Sequence, residues 1–269
     1  MKLIRKEDIE DLTRLNPFDR FPDGRPRVPD DLVERMKAVT TEEAWHVLHS
    51  KGYHNQFEGG WMNLHPDRVL VGRAVTGVFV PTRPDLQEVI NEIGEKEGSI
   101  GGQNSWVIDT LVEDDVIVID LFGKVKDGTF AGDNLGNAIA AKTKRGMIID
   151  GGIRDLDGIY RLENFSTFVR GVDPTPIGGV TLIGINVPCR IGQVTVLPGD
   201  VILGRREGII FIPPHLVQEV VETSERVRLA DRFGHQRLQE GKYTPGQIDG
   251  GWNDEISADF EEWKKTQTL

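Results

Sequence analysis

Residues 115–122, DVIVIDLF, form an almost unbroken apolar run, and no other stretch restricts the fold as much. A strand with one face in water alternates apolar and polar side chains, whereas a strand covered on both faces does not need to. The run therefore predicts a central strand with material packed above and below it. Residues 69–81, VLVGRAVTGVFVP, are rich in β-branched side chains and read as a second strand, and PDLQEVINEIGEKE after it reads as an amphipathic helix. Shorter strands are expected near 146–150, 167–170, 179–187, 193–196, 201–203 and 209–212, punctuated by Pro198-Gly199-Asp200 and Glu207-Gly208. Leu32, Val33 and Met36 repeat at helical spacing, and Thr40 with Glu43 forms a capping box for a helix through His49. A long helix is expected from Pro214 to about Gly241. The fold class is α/β, with one domain at 30–242, an N-terminal arm at 1–29 and a C-terminal arm at 243–269.

Charge and composition remove several functions. The 32 Lys and Arg against 43 Asp and Glu give a net charge of −11, the wrong sign for a phosphate backbone, so no nucleic-acid partner is expected. No stretch reaches the roughly 20 apolar residues of a membrane span, and MKLIRKEDIEDL has no continuous apolar segment of the secretory kind. A cytoplasmic location without membrane contact is the expectation. The one cysteine, Cys189, excludes an intramolecular disulfide and reads as a small buried residue. His46 and His49, with His54 and His65 nearby, lack the glutamate of a helical zinc motif and read as polar groups on the substrate side. The glycine pairs match neither dinucleotide nor phosphate-loop fingerprints.

The chemistry concentrates in GDNLGNAIAAKTKRGMIIDGGIRDLDGIYRLE, a loop–helix–strand–loop–helix unit. Gly132-Asp133-Asn134-Leu135 precedes a helix whose first amides have no partner inside the helix, which suits a carboxylate or oxyanion. Twenty residues separate Asp133 from Arg154, enough for a helix and a returning strand to open both loops on one edge. An aspartate at a strand end is a hard oxygen ligand for Mg²⁺, and an adjacent arginine supplies paired donors for a carboxylate or enolate. The same residues also read as helix caps and a surface ion pair.

Asp133, twenty residues, then Arg154-Asp155 resembles the signature of the RraA-like and 4-hydroxy-4-methyl-2-oxoglutarate aldolase family. LVGRAVT at 70–76, VRGV at 169–172, LPGDVI at 197–202 and EGII at 207–210 extend the resemblance across about 30–242. The resemblance implies an α/β/β/α sandwich assembled as a homotrimer or homohexamer, with sites at subunit interfaces. It implies a metal-dependent lyase that cleaves a hydroxylated 2-oxo acid to pyruvate or decarboxylates oxaloacetate. Asp155 would bind Mg²⁺ (or Mn²⁺), with Asp133 reaching the ion through water. Arg154 would hold the oxo-acid end, and the amides of Gly132, Asp133, Asn134 and Leu135 would hold the substrate. Asp231, or else Glu225, would come from the C-terminal helix of a neighbouring subunit. The alternative implied by the family is a non-catalytic regulator that binds an RNA-degrading enzyme. Two departures bear on substrate preference: Gly158 stands where family aldolases often carry an acid, with Asp157 one residue earlier, and Ala44-Trp45-His46 replaces a Ser-Asp helix start. Trp252, Phe260 and Trp263, on a polar tail, are expected to be buried against a neighbour, with packing on the parent subunit as the alternative.

Overall fold

The computed structural model describes residues 5–267. In chain order the helices are α1 (Lys6–Leu12), α2 (Asp30–Met36), α3 (Thr41–Ser50), α4 (Pro84–Lys96), α5 (Gln103–Asp109), α6 (Asp133–Thr143), α7 (Leu156–Tyr160), α8 (Val217–Gln239), α9 (Pro245–Ile248) and α10 (Asp254–Lys265). The strands are β1 (Phe57–Glu58), β2 (Met62–Asn63), β3 (Leu70–Pro81), β4 (Asp115–Lys124), β5 (Gly146–Ile153), β6 (Ser166–Val172), β7 (Val180–Ile185), β8 (Cys189–Ile191), β9 (Val194–Val196), β10 (Val201–Gly204) and β11 (Ile209–Ile212). One sheet runs β1-β11-β10-β3-β4-β5-β6-β2, with β7 paired to the far half of β3, while β8 and β9 form a separate hairpin. Strands β3 to β6 are mutually parallel, and β7, β10 and β11 join antiparallel.

The apolar run in β4 serves both faces, as its sequence requires. Ile117, Ile119 and Leu121 pack with Val75, Ile149 and Val169 under α4, α5, α6 and α7. Val116 and Val118 point the other way and meet Ile148, Phe168, Ile202 and Phe211 together with the β8–β9 hairpin. On the β10–β11 side, Val201, Leu203, Ile210 and Ile212 carry α2, α3 and α8. Paired strands keep like parity across the β3–β10 register, so both helical layers lie on one face of the sheet and the third cluster fills its other face. The sheet thus encloses a β-lined interior with helices outside, an α/β/β/α sandwich.

The N-terminal segment is tied into this core. Arg25, 1% exposed, bonds Asp115 at the start of β4 at 2.9 Å and Asp23 at 2.8 Å. Arg73, equally buried on β3, donates to the Val28 carbonyl at 2.8 Å and to Asp30. The C-terminal aromatics follow the alternative and pack on their own chain. Trp252, Phe260 and Trp263 surround Phe233 of their own α8 at ring separations of 5.2, 5.2 and 5.6 Å, so a neighbour is not needed to cover them. Helices α9 and α10 close this small core, and Asp259 takes a double hydrogen bond from Arg237 at 2.8 Å. The tail reads as polar because its aromatics repeat along a helix face that is visible only once α10 folds back.

The Leu197-Pro198-Gly199-Asp200 turn places φ at +87° on Gly199, a conformation that favours glycine. It also seals Asp200 inside the protein, 3% exposed, with one carboxylate oxygen accepting from the Leu197 amide at 2.8 Å. Burial pushes this carboxyl up to about 7, the backbone hydrogen bond opposing. An unfolded aspartate ionises near 3.9, so the unfolded chain releases its proton first as pH rises. Asp200's contribution to stability is therefore greatest at low pH and is lost as pH climbs from about 4 through about 7. Asp200→Asn keeps an acceptor for Leu197 and cannot ionise. It is expected to be more stable than the parent above pH 7, by up to about 4 kcal/mol, with little gain at pH 4. Urea unfolding of both proteins at pH 4 and pH 8 checks this, and identical pH responses would remove Asp200 as the source.

Candidate active site

Parallel neighbours β4 and β5 end on the same edge of the sheet, and the loops that follow them build the site. The loop from β4 is fastened to the end of β5 by Phe130 N–H donating to Gly152 O at 2.8 Å and Arg154 N–H donating to Ala131 O at 2.9 Å. Gly132 and Asp133 therefore sit beside Arg154 and Asp155, as the spacing predicts. The approach is close: a Cβ on Gly132 would lie 2.3 Å from Asp155 Oδ2 and 3.0 Å from Arg154 Nε. Glycine is needed here for space, since its φ of −112° is open to any residue.

Asp155 precedes α7 at φ +54°, ψ +46°, a left-handed conformation costing a non-glycine residue about 1 kcal/mol or more. Its backbone carbonyl accepts from Gly158 and Ile159, yet its side chain makes no cap bond. The helix-cap reading thus fails for the side chain, whose carboxylate stays half-exposed beside Arg154, with Oδ2 3.6 Å from Nε. Asp133 lies in the first turn of α6 and accepts the Asn134 amide on Oδ1 at 2.8 Å. Asn134's amide is therefore engaged by Asp133 in this structure, while Asn134 itself lines the cavity beside Arg154. A Cβ on Gly158 would lie 2.6 Å from Asp133 Cβ, so the glycine in the acid's usual place gives Asp133 its seat.

Arg154, Gly132, Asn134 and Leu135 line a cavity of about 100 Å³ with Asn104 and Ile177. Asn104 was not singled out from sequence. It is buried on α5 and donates to Phe130 O at 2.7 Å, fixing the loop before Gly132. The signal was present in GGQNSW, where paired glycines open a short helix. The histidines do not line this cavity. His49 packs between Trp45 and His54, His65 stacks on Tyr160 while its Nε2 meets the Tyr160 carbonyl at 2.9 Å, and His46 is exposed on α3. Cys189 is buried and its thiol is pushed well above the usual range by burial and nearby carboxylates, as an inert residue should be.

Among the described residues no group of three or more His, Cys, Asp or Glu could hold a metal ion. The two carboxylates of the cluster, Asp133 and Asp155, are enough for Mg²⁺, which keeps several waters and binds through one or two carboxylates. Asp231 is exposed on α8, which packs on α2 and α3. Glu225, on the same helix, is held by Arg35 through two hydrogen bonds of 2.9 and 2.8 Å. No hydrogen bond or ion pair joins either acid to the Arg154 cluster among the described residues. No helix among them is long and apolar enough to cross a membrane.

The family model described as RraA-like, Aldolase/RraA, matches residues 30–211. Protein DlpA of Legionella pneumophila is 27% identical over 236 residues, covering 83% of this chain and 35% of that protein, so the chain spans about a third of that relative's length. A Halalkalibacterium halodurans protein named "Putative 4-hydroxy-4-methyl-2-oxoglutarate aldolase" is 29% identical over 58% of this chain and 79% of its own. The crystal structure of Streptomyces coelicolor RraAS2, titled an unusual member of the RNase ES inhibitor RraA protein family, superposes with a TM-score of 0.67. It is 25% identical and covers 82% of this chain and all of that one (100%).

Proposed function

Because the chain belongs to the Aldolase/RraA family, we propose that the Arg154 cluster is the active centre of a carbon–carbon lyase that cleaves a hydroxylated 2-oxo acid to pyruvate. Decarboxylation of oxaloacetate is a related reaction at the same site, since both leave an enolate of pyruvate. The observation carrying this reading is Asp155, held at positive φ with a carboxylate that caps nothing and lies beside a cavity-lining arginine.

Asp155 would hold Mg²⁺ or Mn²⁺, with Asp133 behind it through water. When bound, the ion would supply Lewis-acid polarisation of the 2-oxo group. In the cleavage, the 4-hydroxyl gives up its proton and the C3–C4 bond breaks, its electron pair passing into the enolate before a proton returns to C3. Arg154 presents a planar fork to the charge that develops on the enolate oxygen. The amino-terminal edge of α6 faces the substrate carboxylate, with the Leu135 amide among its first-turn donors. Within the cluster only Asp133 and Asp155 can accept a proton, because an arginine stays protonated.

A non-catalytic regulator would need neither the strained Asp155 nor the arginine beside it. Pyruvate release across a panel of hydroxylated 2-oxo acids decides between the two. Activity should depend on added Mg²⁺ or Mn²⁺, vanish with EDTA and survive borohydride in the presence of substrate, since the cluster holds no lysine. Activity that persists in EDTA yet is trapped by borohydride would overturn the mechanism.

Gly132→Ala tests the close approach. The added methyl group is expected to push the half-exposed Asp155 carboxylate aside, lowering turnover by about 10²-fold with little change in melting temperature. Full activity in that variant would show that Asp155's position is unimportant.

The assembly we propose is a homotrimer or homohexamer whose sites take an acid from a neighbour's α8. Asp231 is the better candidate, because Glu225 is already committed to Arg35. Mixing Asp155→Ala with Asp231→Ala should then restore part of the activity in mixed oligomers. Restoration of none would confine each site to one chain.

A further inference from the structure

Beside the Arg154 cavity lies a larger recess of about 320 Å³, lined by Thr82, Gln87, Asn91, Gln103 and Trp106 with the turn that begins at Ile177. The two share Ile177, and Asn104 of the first directly follows Gln103 of the second on α5. The two recesses therefore adjoin, and a ligand spanning both would run along one groove. Their combined chemistry is lopsided, because Arg154 is the one charged side chain lining either compartment.

The second compartment is furnished with oriented amides. Asn91 Oδ1 accepts from Gln103 Nε2 at 3.0 Å and from Gln87 Nε2 at 3.4 Å. Gln103 Oε1 accepts the Leu182 amide at 2.7 Å, and Gln87 Oε1 accepts the Thr181 hydroxyl at 2.6 Å. These bonds fix the amide planes and leave N–H donors of all three side chains for a guest. The Trp106 indole N–H, on a side chain 8% exposed, is a further buried donor without a partner. Two cations stand nearby, but neither lines either compartment. Arg83, next to Thr82, is held by Asp85 through two 2.8 Å bonds, and Lys124, which approaches the Gly128–Gly178 contact, donates to the Lys126 carbonyl at 2.7 Å.

We infer that the groove selects a 2-oxo acid whose far end is an uncharged, hydroxyl-bearing chain and discriminates against one ending in a second carboxylate. The inference rests on the lyase reading above and adds the substrate class to it. A carboxylate taken out of water without a cation loses far more than amide donors return, whereas hydroxyls exchange water for amides at little net cost. The chain's net charge of −11 adds to the penalty on a second anion.

Three measurements test this inference and separate it from its premise. In deuterium oxide with Mg²⁺, the protein should exchange the C3 hydrogens of pyruvate, a reaction that needs the Arg154 compartment and no tail. Lack of exchange would overturn the lyase reading, and this inference with it. Given exchange, kcat/KM for the six-carbon 3-deoxy-2-oxoaldonic acids, which carry hydroxyls from C4 to C6, should exceed that for 4-hydroxy-2-oxoadipate by about tenfold or more. Equal or better cleavage of the dicarboxylate would overturn the inference alone. Thr82→Arg, at the exposed rim, supplies the missing cation and should lower KM for the dicarboxylate by about tenfold. An unchanged KM ratio in that variant would place the tail elsewhere and overturn the inference as well.

Discussion

Arg154→Ala is expected to lower kcat/KM for 2-oxo acid cleavage by about 10²–10³-fold while leaving the urea midpoint almost unmoved. The contrast follows from where the side chain lies. It is 41% exposed, and its 3.6 Å approach to Asp155 is a geometry worth little to stability. Its guanidinium nevertheless lines the cavity beside the start of α6, where an enolate's charge would develop. Because that charge is larger in the transition state than in the bound substrate, the loss should fall mainly on kcat. Arg154→Lys should recover little, since an ammonium is a point charge without a planar fork. Steady-state kinetics alongside urea unfolding check both halves. Wild-type turnover in Arg154→Ala would remove the residue from the mechanism, and a large loss of stability would show that it holds the fold instead.

The largest effect on folding is expected at Arg25→Ala, about 3–5 kcal/mol of lost stability. Arg25 and Asp115 are both essentially sealed from water, and the arginine reaches Asp115 across 90 residues of sequence. Burial raises the Asp115 carboxyl's pKa while Arg25 works against that rise. Deleting the arginine leaves a buried carboxylate with the Val112 amide, at 2.9 Å, as its remaining hydrogen-bond donor. Paired replacement by Arg25→Met and Asp115→Leu should recover much of the loss, because it removes both buried charges together. Urea unfolding of the single and double variants measures the coupling, and additive losses would deny that the two residues act as a pair.

Much of the site was legible because its parts are near in sequence and governed by local rules. Asp133, Arg154 and Asp155 flank one helix and one strand, and a parallel β–α–β arrangement returns both loops to the same edge. Asn104 was not legible, because its contact with Phe130 spans 26 residues and depends on how α5 lies against the sheet. The histidines differ for the reverse reason: without the glutamate of a zinc motif they read as polar groups for a substrate, but His49 packs on Trp45 and His65 on Tyr160. In the carboxyl-terminal tail composition left two partners open for the aromatics. Its charges hid an aromatic face that finds Phe233 only after α10 turns back on α8.

The sequence by itself determined the layers. The apolar run of β4, the capping box at Thr40 and the glycine turn at Gly199 each obey short-range rules of periodicity, capping and backbone freedom. Tertiary structure alone decided which faces became an interior. Only the curvature of the sheet shows that Val116 and Val118 meet Ile202 and Phe211, and that the helices lie outside on both sides. It also decided the state of each aspartate. Asp115 meets a distant arginine, Asp200 is buried with a backbone amide, and Asp155 stands at positive φ with its carboxylate uncommitted. Ionisation and ligation depend on burial and on partners brought from far along the chain, and those are set by packing rather than by the identity of neighbouring residues.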